Sequence, residues 1–549
     1  MHKDTCQVLI VGAGPVGLVT GLDLAQRGID VIVLDQRTSF DPLTVRCNHI
    51  SSRSMEIFRR LGIADEIRAG GFADDFPHDV SIRLTVTGRE MARIKIPGRA
   101  GRKAGEQSED TKWPTLEPPH RMNQIFLEPI LQKKAENTEG LRLQFDQEVT
   151  SISDQGSHVL ARIRSSKGLK REIASDYLIG CDGGGSLVRK EIGAELQGDS
   201  IVQRVQSSFI HAPGLTAMMQ AQPCWGILNF NPRRSGTVYS IDNDDRFLVH
   251  NYLRLGEAFE SVDRDRCLRT ILGVTDAFEY QLNRNEDWIG RRLVTNKIAK
   301  GRVFLAGDAA HIWVPMGGYG MNAGIADAAG LTWLIDAKLK GWGGNGLLAA
   351  YAAERLTITR QVSHFAMETA ETMIRNRAAV PEEIEDDSSE GLAAQNWFGT
   401  QTRDLNTPQY CCAGLNYGYY YDDSPVIIYD GIQQPSYSMA DYTPSTVPGC
   451  RFAHRIMADG TSIYDHLGPG YTLVRTLAGK GSALIEAANQ LNIPLDIVNI
   501  PASKLHQHAL YLVRPDQHVA WRGQQDPQDS EMILQTLCGK LPFQERLIT

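Results

Sequence analysis

Residues 7–11, Gln-Val-Leu-Ile-Val, form a short apolar run closed by a glycine-rich turn. A helical pattern over 16–27 and a second apolar run at 31–34 follow. Runs this short, bounded by turn signals and separated by a helical period, predict a β-α-β unit at the very start of the chain. Between 80 and 175 strand-like pieces alternate with one helical stretch at 124–136, and 175–195 returns to strand, turn and helix. From 200 to 290 the text is rich in alternating segments, among them Gly-Thr-Val-Tyr-Ser-Ile at 236–241 and Phe-Leu-Val-His-Asn-Tyr-Leu at 247–253. Another apolar strand is expected at 302–306, then a glycine-rich loop and a helical region over 322–378.

The pattern then changes. Residues 381–390, Pro-Glu-Glu-Ile-Glu-Asp-Asp-Ser-Ser-Glu, are acidic and predict a surface loop, and 408–448 hold many Tyr and Pro with little period. A smaller α/β unit begins near 449, with strands expected at 471–476, 497–500 and 509–513 and helices at 483–490 and after 529.

Composition narrows the function classes. The 549 residues are 42% hydrophobic and 22% charged, with net charge −8. A mild acidic excess argues against nucleic acid as the partner. No run of 18 apolar residues exists, so no membrane span is expected. The N-terminus has no signal-peptide pattern, which predicts a cytoplasmic protein. The nine cysteines are scattered and include no C-x-x-C, so neither a zinc site nor a disulfide framework is expected, and no metal.

Three glycine-rich motifs carry the chemistry. Gly12-Ala13-Gly14-Pro15-Val16-Gly17 follows a strand and opens a helix. Its glycines serve a tight turn, a close backbone approach to a pyrophosphate and helix-strand packing. The helix N-terminus attracts the anion, and Pro15 suits its first position. Asp35, followed by Gln36, ends the second strand where an acid binds ribose hydroxyls. The acid predicts FAD or NAD rather than a 2′-phosphorylated nucleotide. The second motif runs from Gly307-Asp308 through His311 to Pro315-Met316-Gly317-Gly318-Tyr319-Gly320-Met321-Asn322. Asp308 is placed to accept a bond from a polyol, the loop to lie against a flat ring, and the helix start to face an anionic ring edge. The third, Asp182-Gly183-Gly184-Gly185-Ser186-Leu187-Val188-Arg189, offers Asp182 to a diphosphate or ribose, with Arg189 fixing the loop.

In this order and spacing, the three motifs resemble those of the single-component, class A FAD-dependent aromatic hydroxylases, over about 1–375. Gly449-Cys450-Arg451, the 459–465 segment and Leu512-Val513-Arg514-Pro515-Asp516 resemble the C-terminal thioredoxin-like domain of the phenol hydroxylase branch. The resemblance implies an α/β fold: a Rossmann-type FAD-binding domain from 1–80, 115–200 and 290–375, and an interleaved β-sheet substrate domain from 81–114 and 201–289. A linker over 376–448 and a thioredoxin-like domain over 449–549 complete it. It implies bound FAD, transient NAD(P)H and O2, oxygen transfer through a C4a-hydroperoxyflavin, and a homodimer. By resemblance Gly12, Gly14, Pro15, Val16, Gly17, Asp35, Gln36, Gln124, Asp182 and Asp308 contact FAD. Arg46 lies near the flavin, and Pro315, Gly318, Gly320, Met321 and Asn322 border the ring and the oxygen site.

The chain departs from the pattern at His49, where a small residue is usual. His49 is a candidate to touch substrate or flavin and to accept a phenolic proton; a hydrogen-bonded loop histidine is the plainer alternative. Tyr239 and His250 sit on strands joined by a turn and are expected to share a face, with Trp225 and Tyr252 as further candidates. His49, Tyr239, His250 and Pro315 are thus the candidate catalytic residues. The expected substrate is a neutral substituted phenol or catechol, with loss of a ring substituent open. A bulky aromatic natural product or drug is the alternative, and a flavin-dependent dehydrogenase the third reading. The C-terminal unit, without C-x-x-C, is expected to be structural.

Overall fold

The apolar run at 7–11 is the core of the strand Lys3–Val11, and the parallel sheet of the molecule grows from it. In a computed structural model, which describes residues 3–39, 41, 45–476 and 479–541, this sheet has the order Ala299–Lys300, Val303–Leu305, Lys170–Gly180, Lys3–Val11, Val31–Leu34, Leu141–Gln144. All neighbours but the first pair are parallel. Val8, Leu9, Ile10 and Val31–Leu34 are fully buried because helices cover both faces, which is why these strands read as unbroken apolar runs. The helix Pro15–Gln26 lies against the helix Gly320–Leu339.

A second sheet of nine strands holds the alternating segments between Val80 and Thr295, with Leu196–His211 at its middle. Alternation gives it two distinct faces. Val238, Phe247, Val249 and Ile210 pack under the helix Arg264–Leu272. Tyr239 on Gly236–Ser240, and His250 and Tyr252 on Arg246–Tyr252, alternate to the opposite face.

The 376–448 stretch is not the linker that its composition predicts. It holds the 22-residue helix Ser389–Tyr410 and the short helix Ala413–Tyr417. The long helix packs on the edge strand Glu90–Ile94, where a Cβ on Gly399 would lie 2.7 Å from the Met91 backbone oxygen, and Phe398 meets Phe230 edge-to-face at 5.2 Å. Few apolar positions are needed because glycine lets the backbones approach. The expected helical region 322–378 is two helices, Gly320–Leu339 and Asn345–Ala378, broken at Gly343-Gly344.

The C-terminal sheet has the order Leu495–Ile500, Tyr471–Thr476, Leu510–Val513, Val519–Gly523, with the first pair parallel and the rest antiparallel. With helices Ser482–Gln490 and Ser530–Leu537 this is a thioredoxin-like arrangement. Its nearest cysteines, Cys450 and Cys538, are buried free thiols. The unit is joined to the rest by buried ion pairs. Arg514, with no exposure, binds Glu354 at 2.5 and 2.8 Å and Asp516 at 2.7 Å. Arg451 binds Glu56 at 2.5 Å.

Candidate active site

The three glycine motifs begin at the same level of the parallel sheet. Val11 pairs with Gly180 and Gly180 with Leu305, so the turns after these strand ends lie side by side. The carboxyl ends of parallel strands are where such sheets bind ligands.

Each turn is built for close approach. Gly12 has φ +104° and a Cβ there would lie 2.3 Å from the Cys181 carbonyl oxygen; a Cβ on Gly17 would meet the Gly12 oxygen at 1.9 Å. Gly14 differs, because a Cβ there would meet nothing within 4 Å. The helix behind it has no side-chain cap and no acid in its first turn. Free N–H groups beside open space at a helix N-terminus are the features a diphosphate requires. The helix Gly320–Leu339 likewise begins without a side-chain cap or an acid. Val16 fits between Gly307 and Gly324, locking the first motif to the second. The residues present therefore fit an FAD.

Asp35 is buried and accepts from the Ala13 amide at 2.8 Å. Arg37 also binds it, through its backbone N at 2.8 Å and its guanidinium at 3.1 Å, and reaches Glu128. A base thus stands beside the expected acid, already neutralised by two carboxylates. Gln36 is exposed next to it. Asp182 accepts from Ser186 Oγ at 2.5 Å and the Val188 amide at 3.1 Å. Arg189 donates to the carbonyls of Gly184 and Ala309, tying the third motif to the second. Asp308 keeps solvent contact, and Arg46, which pairs with Glu286 at 3.4 Å, acts on it electrostatically. Behind this loop Asp327 accepts from the Gly307 amide at 3.1 Å, His311 at 2.6 Å and Arg355 at 2.8 Å. Gln124 donates its amide to the Cys47 carbonyl and its side chain to Glu128.

Asn322 has a different part from the one expected. Its side chain accepts from the Ser51 amide at 2.8 Å and Ser54 at 2.7 Å, and donates to the carbonyls of His49 at 3.0 Å and Gly318 at 2.7 Å. All its capacity goes into holding the 49–54 segment against the second motif. Of Asn322, only main chain remains for a ligand. Pro315 is exposed at the head of the loop, its carbonyl accepting from Gly318.

His49 lies under this loop; a Cβ on Gly318, where φ is +61°, would touch its Cβ at 3.0 Å. Its Nδ1 is hydrogen-bonded to Arg121, and its buried Nε2 has no partner. Burial first, and then the neighbouring Arg121 charge, hold the imidazole well below its ordinary pKa. A guanidinium only donates, so Nδ1 accepts and the neutral ring carries its proton on Nε2. Such a ring has no free lone pair. It offers a donor, not the proton acceptor expected from the sequence.

Arg121 links His49 to the sheet. It donates to the Tyr410 carbonyl at 3.0 Å and its guanidinium lies 4.5 Å over Trp225. Trp225 packs on Tyr239 at 5.0 Å, Tyr239 on His250 at 6.0 Å and His250 on Trp288 at 6.0 Å. Ser207 bonds both His250 Nδ1, at 2.6 Å, and Trp288 Nε1, at 2.8 Å. Burial raises Tyr239 well above 10 and lowers His250 to about 4. The structure thus brings Tyr239 and His250 onto one aromatic wall, and His49 to the Arg121 that lies over Trp225 in it. Sequence reasoning missed Arg121, Tyr410 and Trp288. Arg121, three residues before Gln124, was within reach of the motif; Tyr410 lay in the supposed linker and carried no signal.

The described residues contain no group of three or more His, Cys, Asp or Glu able to hold a metal ion, and no helix long and apolar enough to cross a membrane.

Three glycine-rich turns at the carboxyl ends of a parallel sheet, beside a second sheet that carries an aromatic face, define a single-component FAD-dependent monooxygenase of the aromatic-hydroxylase class, with NAD(P)H as transient donor. Residues 5–366 match the FAD binding domain family and 445–540 the C-terminal domain of aromatic-ring hydroxylases, and the chain belongs to that family. It is 29% identical to the FAD-dependent monooxygenase opdD of Penicillium oxalicum, over 86% of this chain and 95% of that protein. It is 28% identical to the aklavinone 12-hydroxylase RdmE of Streptomyces purpurascens, over 97% and 98%. Among solved structures, the rebeccamycin biosynthetic enzyme RebC with reduced flavin superposes with TM-score 0.88 at 27% identity, covering 98% of this chain and all of that one.

Proposed function

We propose that this enzyme hydroxylates a hydroxylated or enolised aromatic ring held between the 315–320 loop and the Trp225–Tyr239–His250 wall. The observation that carries the reading is the unpartnered Nε2–H of His49, buried beside Gly318 and aimed by Arg121. FAD, when bound, supplies the redox chemistry, taking electrons from reduced nicotinamide and delivering activated oxygen. The protein's own residues bind and orient. The N-terminus of Pro15–Gln26 would hold the diphosphate, Asp308 the polyol chain and the Asp182 turn a diphosphate or ribose oxygen, with main chain at 318–322 bordering the flat ring. His49 Nε2–H donates to the ring oxygen of the substrate and favours its oxyanion, the electron-rich form that oxygen attacks. Trp225, Tyr239 and His250 stack against the ring and exclude water.

Relatives of similar identity are named for aklavinone and for phenol, which supports both an extended ring system and the simple phenol expected from sequence. The test is NAD(P)H and O2 consumption by the FAD-loaded protein across phenols, catechols and polycyclic hydroxyaromatics, with product analysis. Stimulation by one of them, with matched O2 uptake and a new hydroxyl, supports the reading. His49→Phe then loses coupling of NAD(P)H use to product while retaining FAD. Turnover without O2 overturns it in favour of a dehydrogenase.

A further inference from the structure

Two guanidiniums border the aromatic wall without an ion-paired acid; Asp110, which acts on Arg121 electrostatically, is itself bound to Arg102. Arg121, buried on Trp225, has His49 Nδ1 and the Tyr410 carbonyl as partners, and Arg377, half-buried 4.0 Å over Tyr252, has Gln203 Oε1 at 3.2 Å. Among the described residues, no carboxylate lies within 4.0 Å of either. The buried arginines at the C-terminal junction behave otherwise: Arg53, Arg355, Arg451 and Arg514 each hold a carboxylate. Tyr252 shares the wall, acting electrostatically on Tyr239 and Tyr410 and bonding Thr237 at 3.2 Å. The cations therefore flank one continuous face, at Trp225 and at Tyr252. Burial penalises the Arg377 charge. Cation–π contact offsets only part of the cost of burying a guanidinium, which is normally met by an anion.

We propose that the substrate supplies that anion: an aromatic hydroxy compound whose negative charge, on a carboxylate or an acidic enol conjugated to the ring, is held by Arg121 and Arg377. This rests on the wall being the substrate site, and it replaces the neutral phenol expected from sequence. Arginine is suited to the task because its five N–H donors leave some for an anion beyond the bonds Arg121 makes to His49 and Tyr410 and Arg377 makes to Gln203.

The test compares acids with neutral isosteres on the FAD-loaded enzyme, using the flavin absorbance change on binding. The probes are 1-hydroxy-2-naphthoate against its methyl ester, and 4-hydroxycoumarin against 4-methoxycoumarin. The expected result is that at least one acid binds about tenfold or more tighter than its neutral partner. Arg121→Gln and Arg377→Gln each lose most of that preference, while Arg121→Lys keeps part of it. Preference for the carboxylate alone or for the enol alone identifies which anion is used. Equal binding of both pairs, or an acid preference unchanged in Arg377→Gln and Arg121→Gln, overturns the proposal. Should Arg121→Gln fail to retain FAD, the wild-type comparison and Arg377→Gln still decide. Acid preference without O2-coupled turnover upholds the anion site and sinks the hydroxylase reading; turnover of a neutral phenol with no acid preference does the reverse.

Discussion

Arg121 donates to Nδ1 of His49, and this one bond fixes both the charge and the donor direction of the histidine. A neutral ring with its proton on Nε2 is a hydrogen-bond donor, and burial together with the Arg121 charge favours that neutral form. The cation beside it makes protonation unfavourable, since two like charges would share a buried space. Arg121→Met removes that charge. The His49 pKa is then expected to rise, still short of the ordinary value because burial remains. Histidine ring 15N shifts followed through a pH titration read this directly. An unchanged titration would mean that burial alone sets the ring's state.

The two glycines Gly14 and Gly324 separate cofactor binding from packing. Gly14→Ala adds a methyl group to open space, on backbone that alanine tolerates, so unfolding is expected to change by under about 0.5 kcal/mol. FAD affinity should fall, because the methyl occupies the approach to the helix N-terminus. Gly324→Ala drives a Cβ to 2.5 Å from Val16 and 2.9 Å from Gly307 Cα, and should cost about 1–3 kcal/mol even without FAD. Urea unfolding of apoprotein and FAD titration of both variants check the pair. Equal effects on both quantities would refute the distinction.

The C-terminal unit is expected to act through charge pairs. Glu354 binds Arg514, and its neighbour Arg355 binds Asp327, which holds the Gly307 amide of the flavin loop. Glu354→Gln leaves the fully buried Arg514 with Asp516 alone, a loss of about 3 kcal/mol. FAD retention should weaken as well, although Glu354 is not in the site. Denaturant unfolding and flavin content after gel filtration measure the two effects, and wild-type values for both would show that the junction is inert.

Buried histidines set the acid limit of stability. Burial lowers His120 to about 3 and His250 to about 4. Because the folded values lie below the unfolded value near 6.5, this stabilisation is complete above pH 6.5 and is lost as pH falls towards 4. Each such histidine adds a slope of about 1.4 kcal/mol per pH unit in that window. His120→Asn should flatten the fall in unfolding free energy between pH 6.5 and 5 by roughly one such slope. If the wild-type slope persists in this variant, His120 is not among the groups responsible.

The sequence by itself determined the parallel sheet and its three ligand turns. Strands at 8–11, 31–34 and 303–306 are apolar throughout because both sheet faces are covered; Gly12 and Gly17 are required by contacts of 2.3 and 1.9 Å that leave no room for a Cβ, and Gly307 by its φ of +61°. Such constraints are local, so they leave a local pattern. The alternation at 236–241 and 247–253 likewise put Tyr239 and His250 on one face. Only the tertiary structure decided what that face meets. Arg121, Trp225, Tyr410, Arg377 and Tyr252 come from five separate elements, and nothing in their spacing encodes the meeting. The helix Ser389–Tyr410 read as linker because a glycine-mediated contact at Met91 replaces the apolar stripe that usually announces a buried helix. The state of His49 was illegible for the same reason. A histidine's proton is placed by whatever stands against its ring, and here that is an arginine 72 residues away in the chain.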